Sequence, residues 1–332
     1  MSDQATNPRP GGDDVVDRFA RTEGTAAVAI AEDAAGAPGD DRKVKLPRRP
    51  FGRYFRETGW RHLVGIVMIV FSVFPLLYVL SASLNPSGSL LTATGLFQTV
   101  SLDSYVELFQ DPIRPYGNWF VNTIIVGVIT SVCTVILCAL AAYAFSRMRF
   151  SGRRFGLLSL LLVQMFPQLL AIVAIFLLMS AISDVFPALG LNSLIGLIMV
   201  YLGGALGVNT FLMYGFFNTV PASIDEAAKI DGAGHARIFF TIILRLVAPI
   251  LAVIALLSFI ATFNDFIIAS VILVDPDKQT LAVGLYSYVS SETSKYWSVF
   301  SAGAVLAAIL PMAFFLSVQK YIVGGLTAGS VK

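Results

Sequence analysis

Charge is scarce in this chain, and the places where it is missing decide the class. No Asp, Glu, Lys or Arg occurs from Leu63 to Leu102, from Pro115 to Ser146, from Phe155 to Ser183, from Val185 to Ile224 or from Tyr296 to Gln319. With 13% charged residues against 56% apolar and a mean hydropathy of +0.76, a soluble domain with a large core is excluded. An all-α integral membrane protein is implied. Cysteine is nearly absent too. Cys133 and Cys138 stand five apart in one apolar run, which on a helix separates them by about 7.5 Å of rise and points them apart. That excludes a disulfide between them and leaves two small core thiols.

What is there is a series of apolar runs. A membrane-crossing helix needs about 20 residues, and six stretches qualify: Leu63–Leu84, Trp119–Phe145, Phe155–Ala181, Leu194–Phe217, Leu246–Val274 and Val299–Gln319. An even number of crossings puts both termini on one side. Basic residues say which side. If the N-terminus is cytoplasmic, the inner segments hold 11, 4, 3 and 2 of the 23 Lys and Arg, and the outer loops hold 1, 0 and 2. Both termini are therefore expected in the cytoplasm. Residues 1–50, rich in Asp, Gly, Ala, Pro and Arg and lacking an apolar h-region, read as a disordered cytoplasmic tail and not as a signal peptide. Residues 51–332 then form one transmembrane domain, whose first crossing acts as an uncleaved anchor.

Two outer loops are long and polar. Residues 85–118 contain "LDSYVELFQDP", which predicts a short helix at the membrane surface, and residues 275–298 are dense in aromatics. Loops of this length are more often functional than idle.

One inner segment stands out, "SIDEAAKIDGAGHARIFFTIILRLVAP", Ser223 to Pro249. Ser223 and Glu226 have the S-x-x-E spacing of a capping box, and Asp225 and Glu226 suit the positive end of a helix dipole. Ala227 and Ala228 let another surface approach closely. Gly232 fits a left-handed helix end. A helix of about two turns is too short to stand alone. It either packs on the protein's own inner surface or docks a cytoplasmic partner, and the residues by themselves leave both open.

"EAAKIDGAGHARIFFTIILRLVAP" resembles the EAA signature of permease subunits in ATP-binding cassette importers, with Glu226, Ala227, Ala228, Gly232, Ile242 and Leu244 at matching positions. Arg245 stands where the signature has its first proline, which puts the bend before the fifth crossing in question. "AYAFSRMRF", "QMFP", "YLGG", "TLAVGL" and the ending "GGLTAGSVK" are similar to the MalG-type branch, over roughly residues 60–332. The resemblance implies the type I ABC importer permease fold and a transport role instead of an enzymatic one. It implies a second, MalF-like permease, two copies of a cytoplasmic ATPase that hold ATP and Mg, and an external sugar-binding protein, with no nucleic acid and no metal site in this chain. Maltose, maltodextrins and trehalose are all compatible cargoes. The ATPase-coupling residues implied are Ser223, Asp225, Glu226, Ala227, Ala228, Asp231 and Gly232. Tyr286, Tyr288, Tyr296 and Trp297 are expected to meet the binding protein, and Thr327, Ser330 and Lys332 the ATPase pair. Consistently, the chain has no G-x-x-x-x-G-K-[ST] phosphate loop.

"TFNDF" places Asn264 and Asp265 in the fifth crossing, and an ionisable group there is expected to face a polar path or a helix contact. Gly203 and Gly207, four apart, have helix-packing spacing. The rival classes are an ion-coupled secondary transporter, which needs buried ionisable groups in several crossings and internal repeats, and a purely structural assembly subunit.

Overall fold

The computed structural model describes residues 59–86, 95–290 and 296–328, with side chains as far as Tyr321 except at positions 168 and 169. The chain divides into two units, Met1–Val67 and Met68–Lys332. The first contributes the start of helix α1 (Trp60–Ser83), and the packed helices lie in the second. The tail 1–50 falls outside the described residues. All regular structure among the described residues is helical. That is what long charge-free runs require, because a backbone in lipid must satisfy its own hydrogen bonds.

Helix α2 (Asp103–Gln110) is the short helix expected from "LDSYVELFQ", with Ser104 and Leu108 on its buried face. Helix α3 (Tyr116–Arg147) follows, and its 32 residues make it about 48 Å long, more than a hydrocarbon core requires. Against it pack α6 (Leu194–Phe217) and α9 (Ala248–Asn264). Small residues allow that approach. A Cβ on Gly127 would meet the Phe259 ring at 2.8 Å, and Ser131 Oγ donates to the Ala255 carbonyl at 2.7 Å.

Two of the expected crossings are broken. The run Phe155–Ala181 forms α4 (Arg153–Gln164) and α5 (Gln168–Val185), parted where Pro167, with no N–H, disfavours a helical Phe166. The run Leu246–Val274 forms α9 and α10 (Ile267–Ile272), with Asp265 extended between them. Ahead of α9 lie α7 (Ala222–Ile230) and α8 (His235–Leu246), the latter π-helical over Ile238–Ile243. Helices α8 and α9 meet at 79° around Val247, with Pro249 in the first turn of α9. The bend is therefore present although Arg245 replaces a proline. Helices α11 (Leu281–Val289) and α12 (Trp297–Ala328) complete the chain. Four described helices are long and apolar enough to cross a membrane, α1, α3, α6 and α12, and the bent α8–α9 pair would make a fifth.

The loops sort to opposite ends of α3. At its N-terminal end, Trp119 Nε1 donates to the Pro276 carbonyl at 2.7 Å, Asn118 Nδ2 donates to Asp277 at 3.1 Å, and Thr123 Oγ1 accepts from Leu281 N at 2.8 Å. Asn192 Oδ1 accepts from Asp275 N at 3.0 Å, which brings the loop before α6 to the same end. Arg147 and α7 lie at the other end. Trp119 is pressed so closely on α11 that a Cβ on Gly284 would fall 2.1 Å from its indole. Gly284→Ala is expected to lower the thermal unfolding midpoint in detergent by overpacking, at a cost of about 1–3 kcal/mol. An unchanged midpoint would mean that the ring shifts freely.

Candidate functional site

Helix α7 starts two residues earlier than the capping box requires. Pro221 is its N-cap and no side chain caps it. Ser223 thus sits inside the first turn, and Glu226 is left exposed with no reciprocal partner to reach. The other end is as expected. Gly232 has φ +80°, its N–H bonds to the Lys229 carbonyl at 3.0 Å, and Ala233 N bonds to the Ala228 carbonyl at 2.9 Å, the paired closure of a Schellman end.

Nine residues need tertiary support, and α7 receives it on one face. Ala228 enters a cluster with Tyr143, Phe217, Val220, Phe239 and Ile243. Asp225 Oδ2 lies 2.5 Å from Arg147 Nε, with side-chain exposures of 7% and 10%. Arg147 also donates from its terminal nitrogen to the Val220 carbonyl at 2.7 Å, tying the end of α6 to the same point. The Tyr143 ring lies 5.0 Å from that of Phe239 of α8, tilted by 55°. The end of α3 therefore grips both α7 and α8. The opposite face of α7 is bare, with Glu226, Ala227, Asp231 and Gly232 exposed and Ile230 87% exposed as an apolar tip. Packing and a free face coexist on the same two turns.

Farther along the helices, α3, α6, α9 and α10 border a partly open cavity of about 310 Å³, whose polar lining residues are Thr130, Tyr201, Asn209, Ser258, Thr262 and Asp265. Asn264 and Asp265 part company here. Asn264, the last residue of α9, is exposed and does not line the cavity, whereas half-buried Asp265 does. Asp265 Oδ1 accepts from the Tyr201 hydroxyl at 2.8 Å and from Ala269 N at 3.0 Å. Its carboxylate thus also satisfies the start of α10, a role visible in hindsight as an acid just before a new apolar run.

Sequence reasoning missed the role of Gln164. Its Nε2 donates to the Gly204 carbonyl, and its Oε1 accepts from Val208 N at 2.8 Å. Those two backbone groups are the i, i+4 pair of one helical rung, so the side-chain amide engages both ends of a rung of α6, which stays helical from Leu194 to Phe217. Gly207 makes room, since a Cβ there would lie 2.6 Å from the Leu160 carbonyl, while Gly203 faces open space. Gln164, Gly203 and Gly204 also border a larger apolar cavity of about 680 Å³ between α5 and α6.

The family model described as "Binding-protein-dependent transport system inner membrane component" matches residues 134–327, which contain α7, the Asp265 break and Gln164. The chain belongs to this family. Among its relatives, the galactooligosaccharides transport system permease protein GanQ of Bacillus subtilis (strain 168) is 39% identical over 282 residues, 84% of this chain and 97% of that protein. The maltodextrin transport system permease protein MdxG of the same organism is 39% identical over 270 residues, 81% and 93% of the two chains. In fold, the chain matches a chain of a bacterial ABC transporter involved in the import of the acidic polysaccharide alginate, with a TM-score of 0.66, 24% identity and 83% and 99% coverage. The protein is thus a multi-pass membrane permease of a transport system and not an enzyme.

In this transport component, the four aromatics expected to meet a binding protein do not behave alike. The apolar stretch "LAVGLYSYV" is a helix, α11, and on it Gly284, Leu285 and Tyr288 share the face turned to α3 and α12. Tyr288 is 1% exposed, edge-on to Trp119 at 6.2 Å, and burial holds its phenol above the ordinary tyrosine range. It is a core residue and not a contact. Tyr286 is exposed, its ring 4.8 Å from Phe266, and Tyr296 and Trp297 are half-buried. The Arg114 guanidinium lies 4.7 Å from the rings of both Tyr288 and Tyr296 and 3.3 Å from Asp111, fastening the end of α2 to α11 and to the start of α12. At the other extreme, α12 continues through Gly324 and Gly325 to Ala328. The side chain of Thr327, together with Ser330 and Lys332, lies outside the described residues.

Proposed function

We propose that this chain is the permease subunit of an ATP-driven, binding-protein-dependent sugar importer, with maltose, maltodextrin, trehalose or a related oligosaccharide as cargo. The observation that carries the reading is α7, a two-turn helix clamped on one face through Asp225 and Ala228 and bare on the other at Glu226, Ala227 and Ile230. A cytoplasmic ATPase docks on the bare face, and its closure moves α7, α8 and the end of α3 together. The chain crosses the membrane six times, with α4–α5 and α9–α10 as broken crossings and both termini in the cytoplasm. A second permease completes the path, Asn264 and Asp265 face that path, and the ending with Thr327, Ser330 and Lys332 meets the ATPase pair. The named transport systems of the relatives support sugar as the cargo class.

Reconstituted with its second permease, ATPase and binding protein, the complex is expected to accumulate sugar only when ATP is hydrolysed. Uptake driven by an ion gradient without ATP would overturn the proposal in favour of a secondary transporter. At the other face, Tyr286→Ala is expected to reduce stimulation of ATP hydrolysis by the loaded binding protein several-fold while basal hydrolysis stays unchanged. Undiminished stimulation removes Tyr286 from that interface.

A further inference from the structure

We propose that the polar cavity between α3, α6, α9 and α10 holds one ring of a neutral sugar and that Asp265 turns acidic sugars away. This deepens the function proposed above and rests on its placing Asp265 on the transport path. At about 310 Å³ the cavity is at the small end of the about 300–1,000 Å³ usual for ligand pockets, with room inside for one ring. Its wall has the mixed character of a pyranose. Leu257, Ala261 and Ile268 offer apolar surface to the C–H face of a ring. Around them stand groups that both donate and accept. Asn209 and Ser258 are two, and Thr130 is the most telling, because it is 1% exposed and its hydroxyl has no hydrogen-bond partner among the described residues. A buried hydroxyl left unpaired costs about 1–3 kcal/mol, and a ligand hydroxyl would satisfy it.

The electrostatics set the class of sugar. Asp265 is the charged group of the lining, and no Lys, Arg or His stands among the lining residues to offset it. Its Oδ1 is engaged by Tyr201 and Ala269, and Oδ2 accepts no bond among the described residues, which leaves an acceptor for a sugar hydroxyl. A uronic acid would bring a second carboxylate into the same small space, where like charges repel in a low dielectric. A multivalent cation lacks ligands, since no three His, Cys, Asp or Glu come together among the described residues.

The test uses the whole complex in proteoliposomes, with Ser258→Cys or Thr262→Cys in this chain and a small water-soluble thiol reagent. Labelling is compared with that of the parent chain, which carries Cys133 and Cys138. The probes are maltotriose, trehalose, galactobiose and digalacturonate. A neutral probe that the complex takes up is expected to slow labelling at least threefold, and digalacturonate is expected to have no effect. Thr130→Val should weaken the neutral protection, and Asp265→Asn, which keeps an acceptor for Tyr201 and Ala269, should let digalacturonate protect.

A sugar that is taken up yet leaves labelling unchanged overturns the cavity proposal while the transport function stands. Equal protection by digalacturonate in the parent overturns the charge filter, and protection by sodium or potassium chloride in place of sugar makes the cavity a cation site. Absence of labelling at both cysteines shows a cavity closed in every state and also overturns the proposal. ATP-dependent uptake of none of the probes overturns the function and this inference together.

Discussion

Arg147→Met, with Asp225 left in place, is expected to destabilise the packed unit by about 3–5 kcal/mol, because it strands a carboxylate that is almost wholly buried. The same loss is expected from Asp225→Leu, which strands the guanidinium. The double replacement should recover much of the stability, since apolar pairs of similar volume often substitute for a buried ion pair without penalty. Recovery will be incomplete, because the Val220 carbonyl also loses the donor it has from Arg147. Thermal unfolding of the full-length chain in detergent reads the stability, and ATP-dependent uptake by the reconstituted complex reads the coupling. The single variants should fail in both, and the double variant should regain stability before it regains uptake. If either single variant matches the parent in both measurements, the pair does not hold α7.

The second large effect is expected at Gly232. With φ at +80° and no atom within 4 Å of the point where a Cβ would stand, its constraint is conformational and not steric. Gly232→Ala should therefore cost about 1 kcal/mol, the usual left-handed penalty. Gly232→Pro removes the N–H that bonds to Lys229 and forces φ negative, so the Schellman closure opens. The chain should still insert, because no crossing helix is touched. What should fall, by an order of magnitude or more, is uptake per ATP hydrolysed, as Ile230 and Asp231 at the free face lose their fixed direction. Normal coupled uptake by the proline variant would sink the docking role of α7.

These two sites differ in how far they were legible. Gly232 could be read from the sequence because a glycine after a short acidic-to-basic helix has a local cause, and so does the helix α2, whereas Arg245 had put the bend near Pro249 in question. Arg147 could not be paired with Asp225 from sequence, since 78 positions separate them and only packing brings the end of α3 under α7. The breaks were half legible. Pro167 was a signal for one of them that went unused, because apolarity alone drew continuous crossings over both Pro167 and Asp265, whose carboxylate accepts from Ala269 N in a new helix instead of lying within an old one. The capping box failed because Pro221 took the N-cap two residues too early. Tyr288 was misread because aromatic density looks the same in an exposed loop and in a helix that buries every third or fourth residue.

Gln164 gives the α4–α5 joint a hold on α6 that works in steps. Its amide bonds both the Gly204 carbonyl and the Val208 N–H, the two ends of one rung of α6, so this turn is satisfied in part from a neighbouring helix. Because one planar amide makes both bonds, drawing Gln164 away loses them together, at about 0.5–1.5 kcal/mol each. Sliding of the joint against α6 is therefore felt as the paired loss of two bonds and not as a gradual drift.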